Sequence, residues 1–190
     1  PRCGYAEIIK GNIPGLRMEQ EHKNFRQYNC ENETLQPVRL GHSFETDVAR
    51  LIIPLLRSQE REDYAKALSF LYAFLEGFSM AAGIERKDID GVLELNLEKG
   101  SYDVLIYDNV PGGAGHVKRL IDEEIMRKAL ESARSKVLQN CCDENTSCYN
   151  CLRNYYNQSK HSLLRRGYAR EIIDLLAPVR PAASRSDTGI

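Results

Sequence analysis

Four of the six cysteines lie close together near the C-terminus, and this cluster constrains the fold more than any other feature. Cys141 and Cys142 are adjacent, while Cys148 and Cys151 have the C-x2-C spacing with which a tight turn presents two thiolates to one zinc ion. The polar residues between the two pairs favour turns, which lets the chain wrap around an ion. The sequence therefore predicts a structural zinc site built within one loop.

Disulfide bonds, a redox-active thiol pair and unreactive thiols are the alternatives to zinc. Disulfides need an oxidising compartment, whereas we expect a cytoplasmic protein, and adjacent cysteines rarely bond to each other. A thioredoxin-like pair would open a helix after a strand, but here a helix and a polar loop precede the cysteines. If the backbone is extended at Cys141 and Cys142, their side chains point in opposite directions. His161 or a more distant group would then complete the zinc site.

The two other cysteines do not predict a second metal site. Cys3 resembles the second half of a truncated C-x-x-C-G knuckle, and Cys30 is isolated in the sequence. Two ligands do not hold a structural zinc ion, so we expect none there. The truncated motif also suggests a piece of a longer protein.

The composition fits one ordinary domain without a strong electrostatic field. The chain has 190 residues and a net charge of −1, with 28% charged residues. Nucleic-acid binding would therefore depend on a local basic patch rather than on the overall charge. No apolar run approaches the length that spans a membrane.

Hydrophobic periodicity predicts an α+β fold. We expect a strand over 38–46, continuing as strand rather than helix to residue 56, a long helix over 63–82 and an antiparallel β-hairpin over 89–108. A helix over 116–138 with a kink near Asp122, a short helix after Cys151 and a last helix over 162–176 complete the prediction. The hairpin would be packed by helices, and a helical C-terminal third would carry the zinc knuckle. We predict an irregular segment over 1–37 with a zinc-ribbon-like remnant, the domain over 38–177 and a flexible tail over 178–190.

A glycine-rich segment between the hairpin and the next helix is a candidate phosphate site. Backbone N–H groups at a helix N-terminus can bind an anion, and the candidate residues are Gly112, Gly113, Gly115 and His116. The segment matches neither the P-loop nor the dinucleotide fingerprint. The alternative is that the glycines allow a tight turn and close packing.

Acidic residues on or beside the predicted strands raise a second possibility, a metal-dependent nuclease or hydrolase. The residues concerned are Glu45, Asp47, Asp90, Glu94, Asp103 and Asp108. Such an enzyme would gather carboxylates around a divalent cation near a lysine, but no E-x-K motif follows at the expected position. Acidic residues on an antiparallel sheet more often form its solvated face.

The most basic stretch of the chain follows the cysteine knuckle directly. Arginine and lysine bind phosphates, and tyrosines stack on unpaired bases, so the predicted nucleic-acid-binding residues are Arg153, Tyr155, Tyr156, Lys160, Arg165 and Arg166. A solvated helix face is the alternative interpretation.

Three motifs in this order resemble the MrfA-like zinc-binding domain. They are LGHSFETDV at 40–48, LIYDNVPGGAGHV at 105–117 and SCYNCLRNY at 147–155. The resemblance implies a zinc site made by Cys141, Cys142, Cys148 and Cys151, although members of the family more often have C-x-C at the first pair.

The resemblance also implies a cellular context. Members of the family occur at the C-terminal ends of superfamily-two DNA helicases, including a mitomycin-repair helicase, and in protein B of the DISARM anti-phage system. The chain is expected to be a non-catalytic accessory domain that either binds nucleic acid or assists the assembly of a complex. The expected nucleic acid is single-stranded DNA, and the expected binding is weak. A helicase motor would act in cis or as a separate subunit, because this chain has no Walker A motif.

Overall fold

The computed structural model describes residues 23, 26–30, 43–60 and 62–176. The described part contains strands β1 (Val48–Arg57), β2 (Ile89–Asn96) and β3 (Ser101–Asp108), and helices α1 (Asp63–Ala82), α2 (Glu123–Val137) and α3 (Arg166–Leu176). Short 3₁₀ helices lie at Arg86–Asp88, Val117–Ile121 and Gln158–Lys160. The predicted α+β class is confirmed.

The three strands form one antiparallel sheet in the order β1-β3-β2. In the β2–β3 hairpin, Ile89 is opposite Asp108 and Asn96 is opposite Ser101, which confirms the hairpin predicted over 89–108. Val104 and Ile106 on β3 are fully buried, because β3 is the central strand and its inner face is covered.

The predicted helix over 63–82 is confirmed as α1, which supplies most of the large core side chains. Phe70, Phe74 and Phe78 are buried and stack in sequence along the helix. Gly77 lies where α1 meets α2, since a Cβ there would be 2.2 Å from the Ala129 carbonyl oxygen. Glycine at this position therefore sets the close approach of the two helices.

The strand predicted over 38–46 is wrong for the residues that can be compared, since β1 begins at Val48 and residues 43–47 are not in a strand. Residues 38–42 lie outside the described residues. Residues 45–47 bond instead to the segment after β3: the Thr46 hydroxyl donates to the carbonyl oxygens of Asp108 and Val110. Residues 45–47 are therefore held along a loop and not in a sheet ladder.

The later helices are shorter than their hydrophobic patterns predicted. The helix expected over 116–138 is interrupted at Asp122, where a kink is predicted, because the Asp122 carboxylate accepts the backbone N–H groups of Glu124 and Ile125 and begins α2. The last helix begins at Arg166 rather than at residue 162. The short helix expected after Cys151 is the single 3₁₀ turn at Gln158–Lys160.

In the described part of residues 1–43, Lys23 and Asn29 form an isolated antiparallel bridge. The domain boundaries predicted at 37/38 and 177/178 lie outside the described residues. Among the described helices, none combines the length and the apolar character needed to cross a membrane.

Candidate metal centre and adjacent surfaces

The loop between α2 and the last 3₁₀ turn brings the four clustered cysteines together. The sulfur atoms of Cys141, Cys142, Cys148 and Cys151 all lie within 4.8 Å of one another. The Cys142–Cys151 and Cys148–Cys151 sulfur distances are 3.8 Å, and the Cys141–Cys142 distance is 4.0 Å. A tetrahedral zinc ion with Zn–S bonds of about 2.3 Å has sulfur–sulfur distances of about 3.8 Å. The four thiols therefore fit a structural zinc ion.

Local backbone bonds form this arrangement. The Cys148 carbonyl oxygen accepts the N–H groups of Cys151, Leu152 and Arg153, which closes the C-x2-C turn. The Cys148 N–H points at the Cys151 sulfur at 3.2 Å. The chain bends at Cys141 and Cys142, so both adjacent side chains reach the cluster, contrary to the expectation for an extended backbone.

His161 has a different role from the one considered for it. Its Nε2 lies 2.8 Å from the Asn157 Oδ1 and 3.2 Å from the Asn154 carbonyl oxygen. Both atoms are acceptors, because the Asn157 amide nitrogen donates to Leu152, so Nε2 carries the proton. His161 therefore braces the loop after the knuckle, and Cys141 occupies the fourth corner of the cluster.

The thiols differ in their affinity for protons. Burial raises the pKa of Cys151 to about 12 and also raises the pKa of Cys141. Burial alone would raise the pKa of Cys148 too, but hydrogen bonds from the Asn150 backbone and the neighbouring thiols lower it to about 7. Cys148 is therefore the thiol most ready to bind a metal as thiolate.

Arg166 joins the cysteine loop to two helices. Its side chain is buried, and its guanidinium donates to the carbonyl oxygens of Val137, at the end of α2, and of Cys142. The backbone N–H groups of Arg166 and Gly167 donate to the carbonyl oxygens of Thr146 and Glu144. These bonds satisfy the first N–H groups of α3 and fix the loop between the helices.

Asp108, a buried carboxylate at the end of β3, organises the glycine-rich segment. Its Oδ2 accepts the N–H groups of Ala114 and His116 at 2.7 and 3.0 Å, and its Oδ1 accepts the N–H of Val117 at 3.0 Å. An internal anion thus binds the amides at the start of the 3₁₀ helix. Gly113 has φ +74°, and a Cβ there would lie 2.5 Å from the Asp47 carboxylate.

This geometry reduces the number of free backbone N–H groups that the glycine-rich segment can offer to a phosphate. Three of the four candidate phosphate-binding residues already donate their backbone N–H groups within the chain. Gly112 donates to Glu45, Gly113 donates to Val110, and His116 donates to Asp108. Phosphate binding at this loop would require their release, whereas the tight-turn interpretation agrees with the observed bonds.

The strand carboxylates do not gather into a metal site. Arg50 pairs with both Asp103 and Glu94, Arg86 pairs with Asp90, and Lys118 pairs with Asp47. Burial would raise the pKa of Asp103, but hydrogen bonds from Arg50 and Asn96 lower it. Among the described residues, the cysteines form the one group of three or more metal-binding side chains within reach of a single ion. The strand carboxylates that the nuclease alternative requires around one cation therefore do not converge within the described residues.

The predicted nucleic-acid-binding residues separate into two groups. Arg153 donates to Ser147 and Thr146, Arg165 donates to the Asn145 carbonyl oxygen, and the Arg166 side chain is buried. These arginines stabilise the cysteine loop, and for Arg166 burial contradicts the predicted surface role. Tyr155 and Tyr156 are more than 70% exposed, and their rings meet edge to face. Lys160 makes no ion pair with the described residues.

The sequence analysis missed the structural roles of Asp108 and Arg166. Asp108 follows a strand and precedes three glycines, which is a recognisable signal for a carboxylate that binds loop amides. Arg166 stands in an arginine-rich stretch, and no local pattern distinguishes the buried arginine from its exposed neighbours.

Replacing Asp108 by asparagine should destabilise the chain by about 2 to 4 kcal/mol. The amide would place an N–H₂ group against backbone N–H donors and remove the charge that they share. Asp122→Asn is the matched control, because Asp122 is exposed and asparagine is an equally good N-cap, so we expect a change below about 0.5 kcal/mol. Urea unfolding of both zinc-loaded variants measures the difference, and equal effects would contradict the role given to Asp108.

Cys151→Ser should reduce bound zinc from about one equivalent per chain to well below it, and should destabilise the loop and α3. Cys30→Ser is the control and should keep its zinc, because Cys30 lies outside the cluster. Elemental analysis after gel filtration measures the metal. Wild-type protein without zinc, prepared without chelators, would contradict the site.

Zinc uptake by metal-free protein at neutral pH should release protons, including those of Cys141 and Cys151, whose raised pKa values keep them protonated. The apparent affinity should fall as the pH drops, and more steeply below about 7, where Cys148 also becomes protonated. Calorimetry in two buffers of different ionisation enthalpy counts the protons. Binding without proton release would contradict these protonation states.

Comparison with known proteins agrees with this geometry. Residues 70–152, which include all four clustered cysteines, match the MrfA Zn-binding domain family. The chain is 26% identical to Druantia protein DruE of Escherichia coli (strain UMEA 4076-1), over 86% of this chain and 10% of that protein.

A crystal structure of the DUF1998 helicase MrfA bound to DNA has a similar fold. The TM-score is 0.52 at 16% identity, and the match covers 81% of this chain and 20% of that chain. The chain thus spans between a tenth and a fifth of the proteins that it matches. Residues 70–152 are similar to the MrfA Zn-binding domain family, which confirms the resemblance found in the sequence.

Proposed function

We propose that this chain is a non-catalytic, zinc-stabilised accessory module of a helicase-type protein in DNA processing or phage defence. The observation that carries the proposal is the four-sulfur cluster inside a matched MrfA Zn-binding domain. In the module, zinc is a structural ion whose four protein ligands leave no open position for a reactant.

The roles of the surrounding polar groups support a structural module. Asp108 binds loop amides, Arg166 binds carbonyl oxygens, and Asp103 is paired with Arg50. Each of these groups, which in an active site might act on a substrate, stabilises a turn, a loop or the sheet. The proposal therefore assigns ATP hydrolysis and strand movement to a motor, in cis or as a separate subunit.

Contact with nucleic acid is proposed for the exposed part of the segment after the knuckle. Tyr155, Tyr156 and Lys160 remain available there, while Arg153 and Arg165 bond to the cysteine loop. Few phosphates would be neutralised, so binding by this chain alone should be weak and sensitive to salt. Exposed tyrosines favour single strands, in which bases are unstacked.

The comparisons support this context without extending to the whole protein. The structural neighbour is a helicase bound to DNA, and this chain corresponds to a fifth of it. A module of this size would act next to a motor that holds the strand. We further propose a cytoplasmic location, since the cluster requires reduced thiols. Association with DISARM stays a prediction.

Lys160→Glu should weaken binding of a labelled single strand several-fold at low salt, because a phosphate contact becomes repulsive. Lys128→Glu is the matched control, since it makes the same charge change on the exposed side of α2 and should change affinity by less than about two-fold. Fluorescence anisotropy with single and double strands measures both variants.

Equal losses in the two variants would show that only the net charge matters and would contradict a binding surface at the knuckle. The absence of any strand binding by zinc-loaded protein would contradict the nucleic-acid part of the proposal and favour a role in protein assembly.

A further inference from the structure

A cleft of about 300 Å³ lies between the start of β2, the residues that follow β3 and the segment after the knuckle. Its lining includes Lys87 and Ile89 from the first of these, Asn109 and Val110 from the second, and Tyr156 from the third. Tyr156 is thereby placed next to residues that are far from it in sequence. The volume is at the lower end of the range for small-ligand sites.

The walls of the cleft suit a flat aromatic ligand. Val110 gives apolar surface, and the Tyr156 ring, 72% exposed, offers a face to stack on. Tyr155 contacts Tyr156 edge to face, with the ring planes at 87°, so it supports that ring without covering it by stacking. Stacking between a base and an aromatic side chain needs a face of this kind.

Two carboxylates also line the cleft, but Asp90 pairs with Arg86 and Asp88 accepts the Glu85 N–H. Asn109 and Lys87 remain for the edge and the phosphate of a nucleotide. The Asn109 side-chain nitrogen donates to the Lys87 carbonyl oxygen, which fixes the amide and leaves its Oδ1 without a donor from the described residues. The Lys87 ammonium pairs with Glu85, but both side chains are at least 60% exposed. Such a surface pair contributes little stability, so Lys87 can exchange Glu85 for a phosphate.

We propose that this cleft binds one unpaired base of a single strand, with the base stacked on Tyr156, its edge at Asn109 and an adjacent phosphate at Lys87. The inference rests on the proposed function and deepens it by naming the site that distinguishes a single strand from a duplex. Bases of a duplex are stacked on one another and do not offer a face to Tyr156.

The test compares an oligothymidine strand with a strand of the same length whose sugars carry no bases. Zinc-loaded wild-type chain should prefer the strand with bases. Tyr156→Ala should lose roughly 5- to 150-fold in affinity for that strand and should no longer distinguish the two strands. Tyr156→Phe should behave as wild type, because the phenyl ring retains the stacking face.

Lys87→Ala tests the phosphate contact separately. It should weaken both strands alike and reduce the salt dependence by about 0.7 in the slope of log K against log salt, the value for one phosphate of a single strand. Tyr149→Ala is the control, because Tyr149 is another exposed tyrosine that does not line the cleft, and this variant should retain the preference for the strand with bases.

A Tyr156→Ala variant that retains the base preference would overturn the cleft assignment while leaving the proposed function intact. A mononucleotide that displaces the strand at equal concentration would overturn the assignment to a strand and indicate a free nucleotide as the ligand. If no strand binds to the wild-type chain, the proposed nucleic-acid function fails together with the cleft. Circular dichroism and zinc content confirm that each variant is folded.

Discussion

Three parts of the chain meet at the cysteine loop, and the Arg166 guanidinium is the group that holds them together. It donates to the last residue of α2 and to Cys142, while the first N–H groups of α3 donate to the loop carbonyls. The four thiols lie within 4.8 Å of one another and form a polar cluster, which apolar packing alone would not hold together. Zinc and Arg166 act on the same loop from two sides, since one binds its sulfur atoms and the other its carbonyl oxygens. The segment after the knuckle depends on both for its position.

A second anchor of similar design lies at the other end of the sheet. Asp108 stands at the end of β3 and accepts three backbone N–H groups, so the glycine-rich segment folds back onto the strand that precedes it. Thr46 and Glu45 bond to the same region, which brings the chain before β1 alongside it. The glycines are therefore explained by an internal anion. A glycine-rich segment before a helix can thus be formed around a carboxylate of its own chain.

The sequence predicted the parts of the fold that depend on local periodicity. The α1 stripe of Phe70, Phe74 and Phe78 and the β2–β3 hairpin follow from spacing alone, and the four cysteines follow from metal chemistry. The sequence did not predict contacts between distant residues. Thr46 is predicted in a strand but bonds through its hydroxyl to the segment after β3, and Arg166 is indistinguishable in sequence from its neighbours until α2 is placed beside it. Periodicity reports which face is apolar, but it does not report which partner a polar group finds.

The distribution of charge decides how such a module can contact a strand. Arg153, Arg165 and Arg170 bond to the cysteine loop, and Arg50 is held by two carboxylates on the sheet. Moving these arginines to phosphates would remove bonds that the fold needs, so these four arginines are poorly placed to bind phosphates. Exposed aromatic rings carry no such cost, because Tyr155 and Tyr156 already contact solvent. We propose that a module built in this way adds selectivity for unstacked bases, while a larger partner that neutralises many phosphates supplies the strength of binding.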